Sequence, residues 1–167
     1  MSQLVLLPRN PWAQKLEERA FRFARNQMHH YNIDAGHYLY ALTTAEAYEQ
    51  PARRFVDRTS FGPGFVKPVV KRSLPRDASR MMVVEPYTEA GVRMMGIATV
   101  IAKERQSQHP VRGGAQIIQS DLIVGILFSG SESVDELLGK AGIQPDALLC
   151  QLNIPIPAIV REMIESA

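Results

Sequence analysis

The chain has 167 residues, of which 46% are hydrophobic and 22% are charged, and its formal net charge is +2. This composition is that of a globular protein and excludes the disordered and fibrous classes, and the length suffices for one domain with a packed core. No apolar run approaches the roughly 20 residues that span a bilayer, no secretory signal is recognisable, and the single cysteine, Cys150, excludes an intramolecular disulfide, so we expect a cytoplasmic protein.

Charge is distributed unevenly along the chain. Residues 1–80 contain 13 Lys and Arg against 7 Asp and Glu, whereas residues 81–167 contain 6 against 10. The basic residues of the first half are scattered and are not interleaved with aromatic residues, so the pattern does not indicate a nucleic-acid-binding surface. Such an asymmetry can mark an anionic partner for the first half.

Three helices are predicted in the first third of the chain. Asn10 and Pro11 form a strong helix start, because the Asn side chain can accept from the first turn and Pro at the first position loses no hydrogen bond. Apolar residues then recur at three- and four-residue spacing as far as Met28, which predicts a helix from about Pro11 to His30. Further helices are predicted from Asp34 or Ala35 to Ala45, and from Pro51 through Val56.

Residues 59–86 differ in character from the segments on either side. Glycine and proline interrupt the apolar pattern six times, and five basic residues lie between them. Such punctuation is typical of a connection rather than of a long element. The pattern predicts a basic linker over 59–86 with one short helix near Phe65 to Arg72.

The second half is predicted to be helical as well. Thr88 caps a long helix from Glu89 to about Gln106, and a Gly- and Pro-containing loop follows. The next helix, Asp121 to Phe128, is apolar nearly all round, with Ser120 or Gln119 as its predicted cap. The remaining helices are predicted from a Ser133 cap to Lys140 with Gly142 as terminator, from Pro145 to Leu152, and after Pro155 and Pro157.

An internal repeat relates the two halves. At an offset of 78 residues Asn10 falls on Thr88, and the small residues Ala20 and Ala24 fall on Ala98 and Ala102. Small residues one turn apart allow a neighbouring helix to approach closely, so this match concerns packing. After a longer loop in the second copy, the paired positions are Ile33 and Ile117, His37 and Asp121, Leu39 and Ile123, Ala41 and Gly125, and Phe55-Val56 and Leu137-Leu138.

The repeat predicts the architecture of the chain. We expect an all-α fold in which two pseudo-symmetric bundles share one core, because one copy alone would bury too little apolar surface. The predicted organisation is a single domain over 1–167, with repeat 1 at about 10–58, the basic linker at 59–86, repeat 2 at about 87–152 and a C-terminal helix at 153–167.

The second copy carries a recognisable set of motifs. These are Tyr87-Thr88-Glu89-Ala90, the Ala98 and Ala102 pair, the stretch 120–127, and the run from Ala141 through Pro145 to Leu148. Together they resemble the repeat of the N-terminal domain of Clp-family AAA+ unfoldases. The first copy retains His37 and the helix that follows it, but has Gly36 where the family has an acidic residue.

The resemblance implies a function without enzymatic activity. Clp-family unfoldases use this domain as a docking platform for substrates and adaptor proteins, ahead of ATPase modules. The sequence contains no G-x-x-x-x-G-K-[ST] phosphate-binding loop. We therefore expect either a free-standing adaptor or regulator or a substrate receptor, and a complete protein is favoured over a fragment of a longer unfoldase. The alternative is a structural or assembly subunit of a larger complex, such as a secretion or conjugation machine, that reuses the fold.

Residues able to carry chemistry are few. His29 and His30 are adjacent, so on a helix they point about 100° apart and are interpreted as a surface pair rather than as metal ligands, whereas His37 is expected to hydrogen-bond at a helix start. Cys150 lies in an apolar helical patch without a nearby base and is interpreted as a buried packing residue. We predict no catalytic residue, no metal and no cofactor.

The predicted binding surface lies in the basic linker. Structureless connections of this length are uncommon and often functional, and this one combines apolar and basic residues. Apolar anchors would supply affinity and basic residues would steer an acidic protein partner. The candidate protein-binding residues are Phe61, Phe65, Val66, Lys67, Lys71 and Arg72.

Overall fold

The computed structural model describes residues 7–74 and 86–166, and over these ranges the chain is all-α, as predicted. None of the helices in these ranges is both long enough and apolar enough to cross a membrane. The helices are α1 Pro11–Arg22, α2 Ala35–Leu42, α3 Gln50–Thr59, α4 Pro63–Ser73, α5 Glu89–Gln108, α6 Gln119–Leu127, α7 Glu132–Ala141, α8 Pro145–Gln151 and α9 Ala158–Glu165.

The two long helices begin as the sequence predicts. The side chain of Asn10 accepts a hydrogen bond from the backbone N–H of Ala13 at 2.9 Å, and the hydroxyl of Thr88 accepts one from the N–H of Gly91 at 3.1 Å. The end of the first helix differs from the prediction. After α1 the chain continues as a π-helix over Phe23–Gln27, so the regular helix stops well before His30.

Two other predicted helix starts are displaced by a few residues. Helix α6 begins at Gln119 rather than Asp121, because the Asp121 carboxylate reaches back from the first turn and accepts from the N–H of Ile118 at 3.0 Å. Helix α7 begins at Glu132, with Ser131 rather than Ser133 at the cap position. The predicted terminator Gly142 is confirmed, since it adopts the left-handed conformation with φ of 65°.

Reciprocal hydrogen bonds join the two repeats. The N–H of Asn10 donates to the carbonyl of Ile117 at 2.9 Å, and the N–H of Thr88 donates to the carbonyl of Ile33 at 3.0 Å. Asn10 with Thr88 and Ile33 with Ile117 are pairs of equivalent positions in the predicted repeat. The first repeat therefore donates to the second the same hydrogen bond that the second donates to the first. Two further bonds complete the exchange, from Ile117 to Pro8 at 2.9 Å and from Ile33 to Pro86 at 2.6 Å.

The core lies where the long helices meet the apolar ones. Helix α1 packs on α2 and helix α5 packs on α6. The two predicted alanine pairs are buried, and so are Leu39 and Ile123 at equivalent positions of α2 and α6. Gly125 shows how close the second pair of helices is, because a Cβ atom there would collide with the backbone carbonyl of Met94.

The repeat extends further than the sequence analysis recognised. Helix α3 and helix α7 have the same length and lie 82 residues apart, and the same offset places Pro63, at the start of α4, on Pro145, at the start of α8. Helix α4 packs against α2 and α7. The short helix predicted near Phe65 to Arg72 is confirmed, but it is longer than predicted: it extends over Pro63–Ser73 and lies where a fourth helix of the first repeat belongs, so these residues are not a linker. Residues 75–85 of the predicted linker lie outside the described residues.

Candidate protein-binding site

The structure corrects two of the predicted binding residues. Phe61 and Val66 are only 1% and 0% exposed, so neither can act as an exposed anchor. Phe61 precedes α4 and its ring lies 6.2 Å from that of Phe55 in α3. Val66 occupies the position that Leu148 occupies in α8, and both residues face the core. Their burial follows from the packing of α4 as a helix of the bundle.

The other predicted residues remain at or near the surface of α4. Phe65 is 43% exposed, and its ring packs at 5.6 Å on the ring of Phe61. Lys67 and Lys71 are half-buried. Arg72 is exposed and pairs with Glu136 of α7 at 2.6 Å. The structure thus retains one exposed aromatic ring beside basic residues, and their part in binding stays a prediction.

A groove that the sequence analysis missed lies in the second repeat. Its volume is about 370 Å³, and it is formed by the end of α5, the start of α6 and the segment 153–157 between α8 and α9. The apolar wall includes Ile118, Val124 and Ile154, of which Ile118 and Ile154 are half-buried. Glu104 and His109 stand at its polar side. The groove is therefore an apolar depression with a charged rim.

Local sequence positions one wall of this groove. Helix α8 ends where Asn153 adopts the left-handed conformation, with φ of 55°. The N–H of Asn153 then donates to Cys150 and the N–H of Ile154 donates to Leu149, at 3.1 and 3.0 Å, which closes the helix in a Schellman pattern. Prolines at 155 and 157 hold the following residues out of helical conformation until α9 begins. Asn is one of the residue types that adopt the left-handed conformation at the end of a helix, so Asn153 is the feature of the sequence that indicates this turn.

A partly buried ion pair fixes the other wall. Arg105 of α5 donates to both carboxylate oxygens of Asp121 at 2.6 and 2.8 Å, and also to the carbonyl of Gln116 at 2.8 Å. Asp121 is nearly inaccessible, and its hydrogen bonds raise the pKa of Arg105 above its usual range. The guanidinium therefore keeps its charge at the groove while it ties α5 to α6.

His30 and His37 form a buried series of hydrogen bonds. His37 accepts from the N–H of Asp34 at 2.9 Å through Nδ1, so its role at a helix start is confirmed. Its Nε2 lies 2.8 Å from Nδ1 of His30, whose Nε2 lies 3.0 Å from the carbonyl of Lys71. These three hydrogen bonds are satisfied when both imidazole rings are neutral and Nε2 of each ring is the donor. The interpretation of His30 as a surface residue is wrong, because its side chain is buried and bonded to His37.

Neither of two further candidates supplies a nucleophile with a base. Cys150 is exposed rather than buried, because it lies on the outer face of α8. The carboxylate of Asp34 accepts from the hydroxyls of Thr88 and Ser131 at 2.6 and 2.5 Å, which joins the starts of α2, α5 and α7. These serine and threonine hydroxyls are donors to a carboxylate, so their arrangement is structural.

Of the comparisons with known proteins, the one with solved structures bears on the fold. No protein-family model matches the chain, and no curated protein matches its sequence. Among solved structures, the chain is similar to the crystal structure of the Hsp104 N-terminal domain from Candida albicans, with a TM-score of 0.62 and 18% sequence identity over 87% of this chain and 89% of that chain. The chain therefore shares the fold of that domain. At this identity the likeness shows the fold alone.

Proposed function

We propose that this chain is a non-enzymatic protein-binding module that acts with a Clp-type AAA+ unfoldase, as an adaptor or regulator or as a substrate receptor. The groove between α5, α6 and segment 153–157 carries the proposal, because it is a preformed apolar depression on a fold that resembles a docking domain. Pockets of this size accept a few side chains in an apolar environment with a small number of polar groups at the edge.

The chemistry of the groove favours an extended segment of a protein. One apolar side chain of the segment would contact Ile118 and Ile154, and burial of a Leu-sized side chain contributes about 1.5–3 kcal/mol. The rim residues Glu104, Arg105 and His109 offer both charge signs to the flanking polar groups. Such a site suits weak capture of varied sequences better than recognition of one small molecule.

A pair of matched variants tests the groove. Ile154→Asp places a charge in its wall, whereas Ile159→Asp makes the same change on the exposed face of α9, outside the groove. We expect Ile154→Asp to weaken capture of a reduced and alkylated unfolded protein at least tenfold, and Ile159→Asp to change it less than twofold. Thermal unfolding of both variants checks that the fold is retained.

A pull-down from native cells tests the finer assignment. Recovery of an AAA+ ring that depends on Ile154 supports an adaptor or receptor role. Recovery of membrane-complex subunits alone supports the alternative of an assembly subunit. If Ile154→Asp alters capture of no protein, the groove is not the binding site, and the face of α4 around Phe65 is the next surface to test.

A further inference from the structure

Two aromatic rings stand exposed at the start of α1. Trp12 and Tyr48 are 36% and 54% exposed, their ring centroids lie 5.2 Å apart, and their planes are inclined by 57°. The ammonium of Lys15 lies 5.0 Å from the Trp12 centroid and 5.9 Å from the Tyr48 centroid. We refer to these three residues as the aromatic-lysine cluster. It lies on α1 and the loop before α3, and none of its three residues lines the groove of the second repeat.

A buried network holds this cluster in place. Glu49, next to Tyr48, accepts two hydrogen bonds from Arg19 at 2.9 and 3.0 Å and one from the N–H of Glu46 at 2.6 Å. The side chain of Gln119 in α6 donates to Glu49 at 3.2 Å and to the carbonyl of Trp12 at 3.3 Å. The backbone that carries both rings is thus fixed by a buried charge, so little ordering cost remains when a partner binds.

The ammonium of Lys15 has no carboxylate partner in the part of the chain that the structure describes. The neighbouring acids are otherwise engaged: Glu17 pairs with Arg9 at 2.8 Å, and Glu18 accepts from Gln14 at 3.3 Å. A cation on an aromatic face retains its capacity to pair with an anion. Lys15 is therefore available to a carboxylate from outside the chain.

The elements that carry the cluster and helix α3, which follows them, have an excess of positive charge. On α1, α3 and the loop between α2 and α3, the basic side chains outside the Arg9–Glu17 and Arg19–Glu49 ion pairs outnumber the acidic ones. The basic residues are Lys15, Arg22, Arg53, Arg54 and Arg58, and the acidic residues are Glu18, Glu46 and Asp57. Arg54 and Arg58 form one exposed row on α3, one turn apart. Such a field attracts an acidic partner and repels a basic one.

We propose that the aromatic-lysine cluster binds an acidic segment of a partner protein that carries an aromatic or apolar side chain beside its carboxylates. A carboxylate pairs with Lys15, and the apolar side chain packs on the Trp12 and Tyr48 rings, which are residue types enriched at the energetic centres of protein interfaces. This inference rests on the proposed function, to which it adds a second site and the chemistry of its ligand.

The cluster contains its own reporter, because Trp12 is the single tryptophan of the chain. The intact chain is titrated with a capped peptide in which one Phe is flanked by two Glu on each side, while the emission of Trp12 is recorded. A peptide with Lys in place of Glu serves as the counterpart. We expect saturable emission changes with the acidic peptide alone, and weaker binding as salt is raised from 50 to 500 mM.

Charge reversal gives the decisive comparison. Lys15→Glu should weaken binding of the acidic peptide about fivefold to tenfold, since an exposed ion pair is lost and repulsion replaces it. Lys103→Glu makes the same change on the exposed face of α5 and should leave binding within twofold. Tyr48→Ala, which removes one ring and no charge, should weaken it severalfold.

Three outcomes overturn the inference. The first is absence of a saturable response to the acidic peptide, and the second is equal binding of the acidic and basic peptides. The third is an emission change that depends on protein concentration without peptide and is lost in Lys15→Glu, which would make a second copy of this chain the occupant. The capture assay with Ile154→Asp tests the groove and does not depend on the aromatic-lysine cluster. A negative result with the acidic peptide would therefore overturn this inference without contradicting the proposed function.

Discussion

Acidification is expected to destabilise the first repeat through His37. Burial, and then the adjacent His30 ring, lower the pKa of His37 from 6.5 to about 4, against the opposing effects of Asp34. Protonation would also remove the acceptor that Nδ1 offers to the N–H of Asp34. The folded state therefore favours the neutral ring, whereas the unfolded chain binds a proton below pH 6.5.

The sign and size of the effect follow from this difference. Between pH 6.5 and about 4 the unfolded state binds more protons than the folded state, so the free energy of unfolding rises with pH. The stabilisation that the neutral His37 ring contributes is lost as pH falls through that window. A difference of about 2.5 pKa units corresponds to about 3 kcal/mol at full extent. The contribution is fully present above pH 6.5. Glu49, whose pKa Arg19 and neighbouring donors hold below 4.5 against its burial, acts at lower pH.

Urea unfolding at pH 7.0, 6.0, 5.0 and 4.5 measures this effect. His37→Asn keeps an acceptor near the N–H of Asp34 but has no proton to gain, so its free energy of unfolding should fall much less over the same range. His109→Asn removes an exposed histidine as a control. A wild-type free energy that stays constant between pH 6.5 and 4.5, or an equal decline in His37→Asn, would refute the reasoning.

Three further expectations concern the core and the face of α4. Leu39→Ala and Ile123→Ala should each lower the free energy of unfolding by about 2–5 kcal/mol in equilibrium denaturation, because each leaves a cavity at equivalent buried positions. Gly125→Ala should cost about 1–3 kcal/mol through overpacking against α5, whereas Gly139→Ala, which meets nothing within 4 Å, should stabilise α7 by about 0.5–1 kcal/mol, as differential scanning calorimetry can show. Phe65→Ser should leave the thermal midpoint within a few degrees and, if α4 binds partners, weaken their capture in a pull-down.

The burial of Phe61 changes how the α4 surface is tested. A double substitution of Phe61 and Phe65 by serine would introduce a buried hydroxyl and a cavity as well as remove an exposed ring. Loss of binding in that variant would then report unfolding rather than loss of an anchor. The single Phe65→Ser variant separates these two effects.

The parts of the fold that were predictable depend on local hydrogen bonding and close packing. The caps Asn10 and Thr88, the terminator Gly142 and the alanine pairs leave a direct trace in the sequence, because each position tolerates few residue types. The offset between Ala20 and Ala98 was sufficient to predict both the repeat and its symmetry.

Helix α4 was obscured by its own composition. Pro68 lies inside it and removes one backbone donor, and Gly62 and Gly64 flank its start, so local propensity indicates a connection. Packing of Val66, Val69 and Val70 against neighbouring helices overrides that propensity. A short helix near Phe65 to Arg72 was predicted, and the shared offset of Pro63 and Pro145 was the signal for its start and for its place in the repeat.

The candidate sites required knowledge of the tertiary structure. The groove combines α5, α6 and a segment that follows α8, and the aromatic-lysine cluster joins Trp12 to Tyr48 across 36 positions of sequence. Neither set forms a motif along the chain, since each depends on which elements pack together. An acidic partner was predicted from the basic and apolar residues of 59–86, whereas Trp12, Lys15 and Tyr48 were not singled out, because their proximity is visible only in the folded chain.

The reciprocal bonds between the repeats make this domain, in geometry, a fused dimer. Each long helix begins by hydrogen-bonding the other half, at Ile117 in one direction and at Ile33 in the other. Two separate chains, each with the sequence of one repeat, would satisfy the same bonds between molecules by a twofold axis. Because the halves are fused into one chain, their sequences need not be identical. At equivalent positions, one half has Asp121, which pairs with Arg105, and the other has His37, which accepts from Asp34.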